Sequence, residues 1–303
     1  MLPTVDMHAG QVNITVSVAR ALIDEQFPEW RGLPVTAVVG SGTVNAIFRL
    51  GDRLALRFPL QGDDSATVLK QLQAESLAAA KLFERSRFPT PRPVAIGLPG
   101  ANYGLPWSVQ TWLPGVVATD RDPGHSVGFA RDLAKFIADV RAIPTEGRAF
   151  RGEGRGGELG SHDVWVQTCF ERSEELLDVP RLRHRWARMR QLPRGPEVDV
   201  TSHCDLMPGN TLVSSSLRLA GVLDVGGLGP ADPALDLVCA WHLLDVGPRR
   251  AFREGLGVNE SQWQRGQAWA FQQAMGLVWY YEQSNPTLSK IGRRTLDRLL
   301  VDR

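Results

Sequence analysis

The chain has 303 residues, 43% of them hydrophobic, and sets 34 Lys and Arg against 33 Asp and Glu for a net charge of +1. That length and apolar content suffice for one large domain or two lobes, and the near-neutral balance argues against a polyanionic partner such as nucleic acid or a membrane surface. Cys169, Cys204 and Cys239 are too far apart for a C-x-x-C pair, which argues against a disulfide framework or a zinc site and for a reducing compartment.

The first thirty residues are too polar and acidic for a signal peptide, and no apolar run approaches the roughly 20 residues of a membrane span. A soluble, cytoplasmic protein is therefore expected. The basic residues are almost all arginine, with lysine only at Lys70, Lys81, Lys135 and Lys290.

Val16 to Phe27 carries apolar residues at helical spacing and stops before Pro28. Short β-rich runs follow at Val35 to Val39, Ala46 to Leu50 and Leu54 to Phe58, with Gly51-Asp52 as a tight hairpin turn. Before the hairpin, the small-residue turn around Ser41 and Gly42 has the size to cover a triphosphate, but it is neither a P-loop nor G-x-G-x-x-G. On the run Leu54 to Phe58, period-2 alternation sets Ala55 and Arg57 on one face. A small residue two positions before a cation matches the A-x-K of the kinase strand, where alanine roofs adenine and the cation grips phosphate. The same arginine would also suit a solvated strand edge.

The next helix is predicted over Ala66 to Arg85, with Val68, Leu72, Ala79 and Leu82 on one stripe and Glu75 in its middle. A carboxylate on a packing face costs several kcal/mol, of the order of ~2–7, unless it is paired. Glu75 therefore either pairs with Arg57 or reaches the rim of the interface. After a proline-rich connection, Val94 to Gly97 and Trp107 to Trp112 read as strands. Leu113-Pro114-Gly115 then breaks the chain where backbone groups near Thr111 and Leu113 would meet an adenine edge.

Helices dominate from here. Val127 to Ile143 is amphipathic, and His162 to Leu177 and Arg181 to Gln191 read as charged helices with solvated faces. The glycine-rich stretch between residues 147 and 160 reads as a mobile surface loop. Asp232 followed by Pro233 is a helix start running to about Leu244. Asn259 with Gln262 forms a capping box for Glu260 to Tyr281, and a last helix covers Leu288 to Val301. Trp263, Trp269, Trp279, Tyr280 and Tyr281 read as core rather than ligand-stacking residues.

The chemistry concentrates in His203-Cys204-Asp205-Leu206-Met207-Pro208-Gly209-Asn210, an H-x-D-L-x-x-x-N, followed after a hairpin-like segment by Asp224-Val225-Gly226. Two acids and an amide at this spacing are what phosphoryl transfer requires: one acid takes the proton of the attacking hydroxyl, while the amide and second acid hold magnesium. Only five residues separate Gly226 from Asp232, too few for a peptide-binding activation segment, and no A-P-E occurs. A protein kinase is thereby disfavoured. A non-catalytic nucleotide-binding module is the other alternative, and the intact Asp205, Asn210 and Asp224 speak against it.

From Val35 onward the chain resembles the aminoglycoside phosphotransferase family, a small-molecule branch of the protein-kinase-like fold. The resemblance rests on the two motifs above, on Asp232-Pro233-Ala234-Leu235-Asp236-Leu237, and less specifically on Leu56-Arg57-Phe58-Pro59 and Trp112-Leu113-Pro114-Gly115. It implies an α+β, bilobal fold, with an N-terminal antiparallel-sheet lobe over residues 1–112 and a mostly helical lobe over 113–303. It further implies Asp205 as catalytic base, Asn210 and Asp224 as Mg2+ ligands, and Arg57 on the phosphates of ATP or GTP, braced by Glu75. The acceptor would be a hydroxyl-bearing small molecule, an aminoglycoside or, alternatively, a macrolide, and no obligate protein partner is evident. Two positions depart from the family: glycine is usual where Cys204 stands, and histidine is frequent where Met207 stands.

Overall fold

In a computed structural model of the protein, residues 12, 14–38, 44–62, 64–152, 154–195 and 197–302 are described. They form two compact units. One takes its described residues from 12–84, 89–114 and 223–226, the other from 85–88, 115–222 and 227–302.

The first unit begins with helix α1 (Val16–Gln26), whose N-cap Thr15 accepts a hydrogen bond from the Val18 amide. Strands β1 (Val35–Ala37), β2 (Asn45–Leu50) and β3 (Leu54–Pro59) follow, then helix α2 (Ser65–Arg85) and strands β4 (Pro93–Gly97) and β5 (Trp107–Thr111). The five strands form one antiparallel sheet in the order β1-β2-β3-β5-β4. The β2–β3 hairpin closes at Gly51, whose φ of +56° suits a residue without a Cβ.

Leu22, Ile23, Phe48, Leu56, Phe58, Leu72, Tyr103 and Trp107 belong to this unit's core. Phe58 stacks on Trp107 at 4.9 Å between ring centres and meets Tyr103 edge-on. Gly97 is required here, because a Cβ on it would stand 2.1 Å from the Trp107 indole. On α2 the buried residues are Val68, Leu72, Ala79 and Leu82, the stripe expected from spacing.

The second unit is mainly helical: strand β6 (Val116–Val117), helices α3 (Val127–Arg141), α4 (Asp163–Arg172) and α5 (Val179–Met189), strands β7 (Val200–Ser202), β8 (Thr211–Val213), β9 (Leu219–Val222) and β10 (Gly229–Ala231), then helices α6 (Cys239–Leu243), α7 (Val246–Leu256), α8 (Glu260–Tyr280) and α9 (Pro286–Val301). β8 and β9 form the expected hairpin, with β6 on its edge, and β7 pairs with β10. α8 runs through this unit against α4, α5 and α9. Trp263 and Trp269 on it are buried as expected, whereas Tyr280 is exposed.

Three expectations need correction. Helix α7 has no counterpart in the sequence reading, although Asp245 stands at its N-cap and Gly257, at φ +66°, closes it. The segment after Asp232 is a 3-10 turn over Leu235–Val238 leading into the short α6, rather than one continuous helix. And the glycine-rich loop is anchored: Arg265 donates to the Gly157 carbonyl, the Asp232 amide to the Gly156 carbonyl, and Gly156 is buried.

Candidate active site

Asp205 and Asn210 lie on the loop between β7 and β8. The loop is held by Asp236, a carboxylate 2% exposed that accepts from the Ser202 hydroxyl at 2.7 Å, the His203 amide at 2.9 Å and the Cys204 amide at 3.1 Å. This is the second acid of Asp232-Pro233-Ala234-Leu235-Asp236-Leu237. Three short donors satisfy it, as a buried charge requires. The chain then turns through Cys204 at φ +70°, a left-handed conformation that favours glycine. That is the position where the resemblance expects glycine, so the departure is a backbone cost borne by the loop. Burial, followed by the neighbouring Asp236, pushes the Cys204 thiol up to about 11, so it stays protonated at neutral pH.

The side chain of Asp205 is 43% exposed and carries three donors. Asn210 Nδ2 donates to Asp205 Oδ2 at 3.1 Å and to the Asp205 backbone carbonyl at 3.0 Å. Gln273 of α8 donates to Oδ1 at 3.1 Å, and Arg155 stands 3.3 Å from the same oxygen. The carboxylate is thus oriented through both oxygens while remaining open to solvent. With the Asn210 NH2 spent on Asp205, no hydrogen bond among the described residues reaches its amide oxygen.

Asp224 belongs to the first unit, with Arg57, Glu75 and Gly226. Arg57 Nη2 donates to Asp224 Oδ1 at 2.6 Å, and its other terminal nitrogen lies 3.9 Å from Glu75 Oε2. Arg57 is mostly buried, at 12% exposure, while Asp224 is 47% exposed, at φ +53°. Glu75 accepts from Gln71 at 3.0 Å, so α2 fixes it locally while it faces the arginine. Arg57, Leu72, Glu75, Ser108 and Gly226 border a crevice of about 20 Å³, room for little more than a water.

Ala55 is buried on β3 opposite Gln110 of β5. At the end of β5, Thr111 spends its amide on the Arg92 carbonyl and its hydroxyl on the Arg92 amide, and Trp112 donates to the Arg53 carbonyl. Among the described residues Leu113 makes no hydrogen bond with its N–H, which leaves it the open donor of the two expected positions. Ser41 and Gly42 lie outside the described residues.

Hard oxygen donors such as the Asp224 carboxylate and the Asn210 amide suit Mg2+, which is commonly held by one or two protein oxygens together with substrate phosphates. Among the described residues no three His, Cys, Asp or Glu side chains gather into a metal-binding group, so the donor chemistry matches that sparse mode rather than an all-protein cage. Sequence reasoning missed Arg155 and Gln273 beside Asp205. It also missed that Asp232 forms a buried pair with Arg265, at 2.5 Å and exposures of 2% and 1%. Two acids inside Asp232-Pro233-Ala234-Leu235-Asp236-Leu237 were a usable signal, since buried carboxylates demand partners.

Residues 35–270 match the model of the Phosphotransferase enzyme family. A curated aminoglycoside 3'-phosphotransferase of Streptomyces fradiae is 30% identical over 177 residues, covering 54% of this chain. The chain spans 61% of that relative's length. Among solved structures, the GDP complex of wild-type aminoglycoside 2'-phosphotransferase-IIIa superposes with a TM-score of 0.67 at 17% identity, over 96% of this chain and 100% of the other. Macrolide 2'-phosphotransferase type I does so with 0.62 at 18% identity, over 94% and 98%. The fold is therefore α+β of the protein-kinase-like class, with an antiparallel sheet before a mostly helical part. No helix among the described residues is long and apolar enough to cross a membrane.

Proposed function

Because the chain belongs to the Phosphotransferase enzyme family, we propose that it moves the γ-phosphoryl group of ATP or GTP to a hydroxyl of an antibiotic-like small molecule, with Asp205 as the base. The observation that carries this reading is the state of Asp205: half-exposed, oriented through both oxygens by Asn210, Gln273 and Arg155, on a loop clamped by Asp236. A side chain so held can accept a proton without first being ordered.

Residues 1–112 form the nucleotide-binding part and 113–303 the part that carries the base. Arg57 grips the nucleotide phosphates, a role its planar fork fills bidentately. Glu75 keeps Arg57 aimed when phosphate displaces Asp224 from it. Ala55, Thr111 and Leu113 border the base of the nucleotide. Asn210 and Asp224 would hold Mg2+, which when bound supplies charge neutralisation on the phosphates. The acceptor hydroxyl gives its proton to Asp205 as its oxygen attacks the γ-phosphorus, the bond from that phosphorus to the bridging oxygen breaks and the nucleoside diphosphate leaves, and Arg155 offsets the charge that the new phosphate ester leaves beside the base. The protein acts in the cytoplasm, where nucleotide triphosphates are supplied.

Arg155 also bears on the acceptor. A guanidinium 3.3 Å from the base repels an ammonium next to the reacting hydroxyl.

The test is a phosphate-transfer screen of ATP and GTP against aminoglycosides, macrolides and tuberactinomycin-type peptides, repeated with Asp205→Ala. Turnover should fall by about 10²–10⁴-fold in the variant, with nucleotide binding nearly intact. A variant that kept most of its kcat would remove Asp205 from the mechanism.

A further inference from the structure

Behind Asp205 the contact with Gln273 continues to two side chains that the reaction above does not use. Gln273 Nε2 donates to Asp205 Oδ1 at 3.1 Å, and Gln273 Oε1 lies 3.2 Å from His242 Nε2. His242 Nδ1 in turn lies 2.8 Å from the hydroxyl of Thr295 on α9. His242 and Thr295 are buried. Burial pushes His242 down to about 4, so at neutral pH the ring carries one N–H. The charged groups that face it are Asp205, Arg155 and Arg298.

Proton bookkeeping then fixes every orientation. An ionised Asp205 can only accept, so Gln273 must turn its NH2 to Asp205 and its carbonyl to His242. That carbonyl can only accept, so His242 must hold its proton on Nε2. Nδ1 is then an acceptor, and Thr295 must donate to it rather than to the Ile291 carbonyl 2.8 Å away. The opposite tautomer would point Gln273 Oε1 at the Asp205 carboxylate, oxygen against oxygen, unless Asp205 were protonated.

The geometry points to Gln273 and His242 as a positioning pair for Asp205, the Nε2–H tautomer of His242 fixing the Gln273 amide so that its NH2 faces the carboxylate and keeps it aimed. This rests on the reading of Asp205 as the base. No proton travels along the chain: an amide stands between the imidazole and the carboxylate, and the pair acts by orientation alone.

Two substitutions at one position separate the pair's action from mere packing. In His242→Gln the amide nitrogen falls where Nε2–H stood and can still donate to Gln273, whereas His242→Asn reaches only the Thr295 side. With ATP or GTP as donor and kanamycin and erythromycin as acceptors, His242→Gln should keep kcat within about threefold. His242→Asn and Gln273→Leu should each lose at least about tenfold in kcat, with nucleotide KM unchanged. In the unmodified protein, 15N shifts of His242 should report the Nε2–H form, a readout that needs neither turnover nor a folded variant.

An Nδ1–H tautomer would overturn the proposal. So would an unchanged kcat in both His242→Asn and Gln273→Leu while Asp205→Ala is inactive. If Asp205→Ala itself retains turnover, the base assignment fails and the proposal falls with it, which is a separate result from the other two.

Discussion

Two arginine–aspartate pairs in this protein have nearly the same contact distance and opposite surroundings. Arg57 and Asp224 meet at 2.6 Å with the carboxylate 47% exposed. Arg265 and Asp232 meet at 2.5 Å with both side chains at most 2% exposed. Arg265 makes further bonds to the Leu192 and Gly157 carbonyls, and Asp232 accepts from the Trp269 indole and the Ala234 amide. In the buried pair every charge has a partner and none is exchangeable, so it anchors the loop that carries Arg155. In the open pair water competes for the carboxylate, so a phosphate can take its place on the arginine at little cost. Burial, rather than distance, separates the structural pair from the one proposed to meet the nucleotide phosphates.

Breaking the buried pair should have the largest effect. Asp232→Ala or Arg265→Met each leave an uncompensated buried charge and should cost about 3–5 kcal/mol of stability by denaturant unfolding, and an apolar replacement of both should recover much of it. A single-variant loss under about 1 kcal/mol would place this pair with the exposed one.

Buried His242 extends the contrast to pH. Its folded pKa of about 4 lies below the unfolded value near 6.5, so between those values the unfolded chain binds the extra proton. Its contribution, up to about 3 kcal/mol, is fully present above pH 6.5 and is lost as pH falls toward 4. His162, also lowered by burial, acts in the same direction. Urea unfolding at pH 7 and pH 5 should show this slope, and His242→Gln should flatten it; an equal slope in the variant would assign the effect elsewhere.

The open pair should respond least in stability and most in nucleotide use. Arg57→Ala is expected to shift unfolding by no more than about 1 kcal/mol. Its kcat/KM for nucleotide should drop by about 10- to 100-fold, the worth of a charged hydrogen bond. Glu75→Ala, whose ion pair spans 3.9 Å, should lower the same quantity by only a few-fold. Equal losses in the two variants would mean that Glu75 does more than brace.

Much of this was legible in the residues. The stripe of Val68, Leu72, Ala79 and Leu82 marked the packing face of α2, and Glu75 within it pointed to a cation, because periodicity and the cost of burying charge are local facts. The capping bond of Asn259 to the Gln262 amide is of the same kind. Asp232 read as a helix cap because its partner Arg265 is 33 residues away, and no local rule links them. Arg155 sits in a glycine-rich charged stretch that reads as solvent-exposed until the anchoring of Gly156 and Gly157 is known. Nor does the identity of Cys204 reveal the left-handed φ it adopts, which only the path imposed by Asp236 explains.

Gly226, the last residue of Asp224-Val225-Gly226, lacks the positive φ that usually explains a glycine. A Cβ there would stand 2.7 Å from the Glu75 Cβ and 2.8 Å from its Cγ. The motif's third letter is therefore a clearance, kept so that the α2 backbone can come close enough for Glu75 to reach Arg57. The glycine thus also sets how closely α2 approaches the turn at Val225–Gly227, and a single methyl group there would act as a wedge on the Arg57–Glu75 pair without touching any charge.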